Sequence, residues 1–351
     1  MPTRLVFFAT NRLYDPKGPS FGTVPDDPPG RVLAGWVDAV VEADPAQEGK
    51  AGTPHVEAFA DPDSGLVTVL KQWLAKAEGG IALLSVHGFN YSFSAAMART
   101  GALCEWLEEG GAPPLTPLCF TWPSNGVGSI GAYKDDQVDA ACSGLALARL
   151  IAAIAALKPT VPIVYLAHSM GARATRCAMQ EMAARFSPLP KGVFRQAVVM
   201  AGDDAADVFD AGEGWASDSA GGMRPLASLA RYVTLGVNRA DGVVSLVSGR
   251  VNRGDRLGTA GPSRPKDLPG NVKVVDYSEV VGGADLKPVP GHEVEPNWIG
   301  HQYLRNDKRV RQDLVALMAQ DTAPEQVKDR RWGEPQPALA FGEFAERLYP
   351  V

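Results

Sequence analysis

Residues 162–173 read Pro-Ile-Val-Tyr-Leu-Ala-His-Ser-Met-Gly-Ala-Arg: an apolar β-branched run, one serine among small residues, then the start of a helical pattern. A strand that passes through a single serine straight into a helix must turn within a few residues. The positions two before and two after the serine must therefore be small, because bulkier side chains there would strike the strand or the helix. Ala167 and Gly171 meet that demand, although the usual pattern has glycine at both positions. The turn predicts an exposed nucleophilic hydroxyl on Ser169, with the amides and positive dipole end of the following helix aimed at the reacting centre. A serine that merely caps a helix is the structural alternative.

The rest of the chain supplies a sheet for such a turn. Apolar runs at 4–8, 81–86, 115–122, 161–167, 196–201, 232–237 and 272–277 alternate with helical spacing at 65–77, 94–109, 133–157, 170–186 and 303–319. This rhythm predicts a mainly parallel central sheet flanked by helices; with the elbow at Ser169 it becomes an α/β-hydrolase fold. A chain of 351 residues, 45% of them hydrophobic, is long enough for one large core, so a single domain over 1–351 is expected. Stretches 15–30, 203–225, 254–270 and 282–296 are rich in Gly, Pro, Ser and Asp and read as long loops. Of these, 203–225 follows a strand end and is the candidate lid, or else a surface insertion.

Charge and targeting features narrow the setting. A net charge of -6 with no clustered basic run argues against nucleic acid or an anionic membrane as partner. The N-terminal apolar run is too short for a signal peptide, so a cytoplasmic location is expected. Stretch 145–157 contains Arg149 and falls well short of the roughly 20 residues that span a bilayer, so it reads as a buried helix. Cys104, Cys119, Cys142 and Cys177 show no C-x-x-C spacing and read as reduced core residues.

A nucleophilic serine needs a base and an acid, and this fold orders them Ser, acid, His along the chain, each at a strand end. The run 232–237 leads into Asn238-Arg239-Ala240-Asp241-Gly242, which makes Asp241 the candidate acid. Asp203 and Asp204, after the preceding strand, compete with it, and an Asp before Gly can also simply form a turn. Of five histidines, His55 and His87 precede the serine and His168 adjoins it. His301, just before a helix, is favoured as base over His292, which sits in a proline-rich surface loop. His87 reads as a structural histidine. Gly88 after run 81–86 lets the backbone turn, so the amides of Phe89 and Met170 are the candidate oxyanion-hole donors. Trp122, Asn90 and Tyr91 lie on loops expected to face the substrate, with ordinary packing as their alternative. No cofactor or metal is called for. The implied chemistry is acyl transfer from a small-molecule ester through an acyl-enzyme. An amidase, thioesterase or acyltransferase would use the same three residues, and a non-catalytic binding protein could keep the fold.

Several blocks together resemble a bacterial family of uncharacterised α/β hydrolases of the esterase/lipase superfamily: Phe8-Ala9-Thr10-Asn11-Arg12, Val86-His87-Gly88-Phe89-Asn90, Phe120-Thr121-Trp122-Pro123-Ser124 with Gly126, Ala167-His168-Ser169-Met170-Gly171 and Gly300-His301-Gln302-Tyr303. The resemblance implies a serine esterase with its acid at Asp241 and its base at His301. Two departures stand out. Ala240-Asp241 replaces the family's Asn-Asp, and residues 212–222 lengthen the aspartate-rich loop.

Overall fold

Period-two alternation decides which side chains of each strand go to which face, and β8 (Ile163–His168) shows it plainly. Ile163, Tyr165 and Ala167 enter one apolar core while Val164 and Leu166 enter another on the opposite face of the sheet. A strand buried on both faces reads as a continuous apolar run, and that is the signature of a parallel strand covered by helices.

The structure is a computed structural model and describes residues 3–26, 28, 30–41, 49–211, 219–278, 300–319 and 338–340. Its strands are β1 (Thr3–Thr10), β2 (Arg12–Asp15), β3 (Ser20–Pro25), β4 (Leu33–Val40), β5 (His55–Val56), β6 (Ile81–Val86), β7 (Leu115–Thr121), β8, β9 (Phe194–Met200), β10 (Ala230–Val237), β11 (Val272–Asp276) and β12 (Ala338–Ala340). Ten of them form one sheet in the order β12-β11-β10-β9-β8-β6-β7-β1-β4-β5. Every pairing from β12 to β1 is parallel; β4 and β5 add an antiparallel edge. This is the α/β-hydrolase architecture expected from the alternation of runs. Helices α1 (Pro62–Lys76), α4 (Gly144–Ala156) and α5 (Gly171–Arg185) place Trp73, Leu147, Ile151 and Met179 in the first core. Helices α2 (Phe93–Glu109) and α6 (Lys308–Ala319) place Leu103, Cys104, Leu107 and Leu314 in the second. Each such aliphatic burial stabilises by about 1.5–3 kcal/mol before chain entropy is counted.

The secondary structure departs from the sequence reading in three places. Stretch 133–157 is two helices, α3 (Ile130–Cys142) and α4, bent by 41°. Ser143 sits at the break, donating its hydroxyl to Asp139 O (2.7 Å) and accepting Asn11 Nδ2 (2.9 Å). The expected loop 15–30 contains β3, which pairs with β2 as an exposed hairpin, and β4 was not anticipated at all. The described parts of 203–225 are anchored in the core: Val208, Phe209 and Met223 are buried, and Met223 N donates to Val208 O at 2.8 Å. Residues 212–218 and 282–296, the latter including His292, lie outside the described residues. Among the described residues no single helix is long and apolar enough to cross a membrane, though the bent α3–α4 pair has the length and composition to do so. The cysteines are all free; Cys104 and Cys119 are buried, whereas Cys142 is exposed and Cys177 half-buried.

Candidate active site

The C-terminal ends of β6, β8 and β10 converge where residues of the β8–α5 turn meet the segment entering α6. Ser169 lies in that turn with φ +54°, a left-handed conformation that costs a residue with a Cβ energy and persists only where the surroundings impose it. Those surroundings are visible. Ser169 N donates to Met200 O (3.0 Å), and Ser169 O accepts from Asp203 N (2.9 Å) and Ala172 N (3.0 Å). A Cβ at position 171 would come within 2.5 Å of Val86 O and 2.8 Å of His87 O, so only glycine lets α5 start this close to β6. Gly88 likewise faces the serine, since a Cβ there would lie 2.8 Å from Ser169 Cβ.

Three predicted residues come together. His301 Nε2 lies 3.0 Å from Ser169 Oγ, and His301 Nδ1 lies 2.8 Å from Asp241 Oδ2. With the carboxylate accepting from Nδ1–H, Nε2 is left as the acceptor for the serine hydroxyl. Asp241 is fully buried, and its other oxygen accepts the amides of Val243 and Val244, both at 3.0 Å, where the chain turns into the π-helical segment Val243–Ser248. The carboxylate is thereby fixed through both oxygens.

The competing acids are engaged elsewhere. Asp203 accepts Tyr133 Oη (2.6 Å), Arg256 Nη2 (2.9 Å) and the Ser248 hydroxyl. Burial alone would raise its pKa; Arg256 and these two donors outweigh it and hold the carboxyl below its ordinary value. Asp204 pairs with Arg176 Nε at 2.8 Å.

The candidate amides are aimed by the carbonyls of their own peptides. His87 Nδ1–H donates to Gly88 O (2.8 Å), and in a trans peptide this turns Phe89 N–H the opposite way. Ser169 O, held by Asp203 and Ala172, does the same for Met170 N–H. Among the described residues neither amide has a protein acceptor. His87 in turn takes the Thr121 hydroxyl on Nε2 (3.0 Å), and Thr121 Oγ1 accepts Arg12 Nε (3.0 Å). Arg12, fully buried, also donates to Tyr91 O (2.8 Å) and Ser124 O (3.1 Å), tying the loops after β6 and β7 together. Burial, strengthened by the Arg12 charge, pushes His87 down to about 3, so it stays neutral as a loop brace.

A cavity of about 320 Å³ opens over Ser169 and is lined by Phe89, Asn90, Tyr91, Tyr133 and His301 among others. Asn90 and Tyr91 are thus on its wall. Trp122 is not: it is fully buried, stacks on His87 with ring centroids 5.0 Å apart, and donates Nε1–H to His87 O at 2.9 Å. Its place is beneath the Gly88 turn and not against a substrate.

Asn238 and His168, which the sequence reading passed over, hold the site together with Tyr303. Asn238, buried at the end of β10, donates Nδ2–H to Gly300 O (2.9 Å) and accepts Ala240 N–H (3.0 Å). His168 Nε2 donates to His301 O at 3.3 Å; burial, then the charges of His301 and Arg305, keep its pKa well below 6.5 and the ring neutral. Tyr303 Oη bridges Ala201 N (3.0 Å) and Gly236 O (3.1 Å), pinning the segment after His301 to the sheet. Among the described residues no group of three or more His, Cys, Asp or Glu is placed to hold a metal ion.

A parallel sheet with a strained serine elbow at a strand end and a histidine against it defines an α/β hydrolase. The chain belongs to the family described as "Alpha/beta hydrolase of unknown function (DUF900)", which matches residues 64–312. It is similar to the uncharacterized protein alr1448 of Nostoc sp. (strain PCC 7120 / SAG 25.82 / UTEX 2576), 27% identical over 147 residues, 33% of this chain and 38% of that protein. The chain therefore spans well under half the length of this curated relative. Among solved structures, an acetylxylan esterase is similar at 14% identity and a TM-score of 0.34, covering 69% of this chain and 97% of that one.

Proposed function

We propose that the chain is a serine hydrolase that cleaves carboxylic esters through an acyl-enzyme. The observation that carries this reading is the His301 imidazole, 3.0 Å from Ser169 Oγ on one side and 2.8 Å from Asp241 Oδ2 on the other. His301 takes the serine proton as Oγ attacks the ester carbonyl, then returns it to the leaving alcohol. Asp241 keeps the imidazole in the required tautomer and stabilises the imidazolium. The amides of Phe89 and Met170 receive the oxyanion, and their aim is set before the substrate arrives. Water then attacks the acyl-enzyme by the same route, releasing the acid and freeing Ser169. The cavity volume of about 320 Å³ stands at the small end of ligand sites and favours a short acyl group.

The test is a series of p-nitrophenyl esters from acetate to palmitate, with and without prior labelling by a phosphonate. Hydrolysis that is fastest for short chains and lost on labelling supports the reading. Turnover only of amides or thioesters would move the chain to another acyl-transfer class, and neither turnover nor labelling would leave a binding protein.

A further inference from the structure

A second cavity, of about 50 Å³, lies behind the turn that carries Gly88, and the inference drawn from it rests on the hydrolase reading of the neighbouring site. It shares Gly88, Tyr91, Arg99, His168, Gln302 and Arg305 with the cavity over Ser169, so the two spaces meet along those residues. The side chains of this neck already have partners. The Arg99 guanidinium lies over the Tyr91 ring, 4.9 Å from its centroid, Arg305 Nε donates to Gln302 Oε1 at 2.9 Å, and both arginines have further contacts. Gly88 leaves space beside the nucleophile, since a Cβ there would stand 3.3 Å from Ser169 Oγ. Beyond the neck, Val86, Ala96, Leu103, Leu166 and Leu304, all buried, give the small cavity an apolar wall. The polar groups set among them are engaged: the Ser85 and Thr100 hydroxyls bond each other at 3.2 Å, and His87 uses one ring nitrogen on Gly88 O and the other on Thr121 Oγ1.

A water is held in such a space only where it finds about two to four polar partners, so this wall suits an apolar group better. At roughly 10–15 Å³ for each water-sized group, the cavity has room for about three or four of them in a row. The direction follows from the proton transfers. His301 lines the larger cavity and not the smaller, and the leaving alcohol must stand at His301 Nε2 to recover the proton. The alcohol therefore occupies the larger cavity, and the acyl chain leaves the carbonyl carbon on the Gly88 side. We infer that the small cavity behind Gly88 is the acyl subsite, and that the substrates are esters of straight-chain acids of about four to six carbons.

The experiment measures kcat/KM for p-nitrophenyl esters from acetate to dodecanoate in the wild type, Leu103→Ala and Ala96→Val. Each methylene buried in the subsite should add about fourfold, so the wild type should rise on the order of tenfold from acetate to butyrate and fall after hexanoate. Leu103→Ala enlarges the subsite and should move the fall to octanoate or beyond. Ala96→Val narrows it and should move the fall to butyrate or shorter. The ratio of p-nitrophenyl acetate to methylumbelliferyl acetate should stay at the wild-type value in both, because the alcohol occupies the larger cavity. Both readouts are ratios within one protein sample, so a partly unfolded variant does not mimic them, and either variant alone suffices. A wild type that hydrolyses esters through Ser169 with an acyl profile that neither variant moves, or variants that shift the alcohol ratio instead, overturns the inference and leaves the hydrolase reading standing. If no ester turns over, the hydrolase reading fails, and calorimetric titration with hexanol tests the cavity itself: saturable binding weakened in Ala96→Val supports a site for an apolar chain, and no binding overturns it.

Discussion

Asn238 donates its side-chain amide to the carbonyl of Gly300 over 2.9 Å, so the loop that carries Asp241 and the loop that carries His301 are joined three residues from one and one residue from the other. This bond, with Tyr303 anchored on the sheet, fixes the distance between Asp241 and His301 from outside the pair. Asn238→Ala removes it and leaves a buried carbonyl without its donor, a loss of about 1–3 kcal/mol in stability. Because the substrate is not touched, kcat should fall roughly tenfold or more with KM nearly unchanged, since small displacements of a catalytic group are costly. Steady-state kinetics beside urea unfolding separate the two effects. A raised KM with normal kcat would contradict a positioning role.

Asp241→Asn should lower kcat on the order of 10⁴-fold, because an amide at this position favours the wrong histidine tautomer. Asp203→Asn should cost less than about tenfold in rate. Its effect belongs to stability, because Arg256 would be left buried without its counter-charge, a loss of roughly 3 kcal/mol or more. Asp204→Asn should behave in the same way through Arg176. Rate and unfolding free energy measured on the three variants give the ranking, and a reversed order in kcat would place the acid after β9.

The two buried neutral histidines make stability depend on pH. His87 is held at about 3 and His168 well below 6.5, burial being the largest cause for both. In the unfolded chain each protonates below its ordinary value, so at mildly acidic pH the unfolded state binds protons that the folded state refuses. Stability is therefore full above that value and falls as pH falls, by about 1.4 kcal/mol per pH unit for each histidine. Urea unfolding at pH 7, 6 and 5 should show this slope, and His87→Gln should flatten it by about the share of one histidine. Equal slopes in the two proteins would mean that His87 is protonated in the fold.

The parts of this molecule that were legible in sequence are those whose cause is local. Strands buried on both faces write continuous β-branched runs, which is why β6 through β11 stand out at nearly their observed bounds. The elbow at Ser169 is legible because its turn tolerates only small neighbours. β4 was not, since Gly35 and Asp38 interrupt its apolar alternation and its strand character comes from pairing with β1. The break at Ser143 depends on Asn11, distant in sequence, and on Gly144, where a Cβ would lie 2.7 Å from Cys177 Cβ. Trp122 reads as an aromatic on a site-facing loop, and only the packed structure reveals that His87 covers it. The Asn238 bond likewise spans 62 residues and leaves no local pattern.

The central claim is that Ser169 is a nucleophile activated by His301. Its most direct test is intact-mass spectrometry after incubation with a fluorophosphonate, followed by peptide mapping. The wild type should gain one phosphonyl group, carried on the peptide that contains Ser169. Ser169→Ala should remain unlabelled while keeping the wild-type circular dichroism spectrum, and His301→Ala should label far more slowly. An unlabelled wild type, or a Ser169→Ala variant that labels or hydrolyses esters like the wild type, would contradict the account.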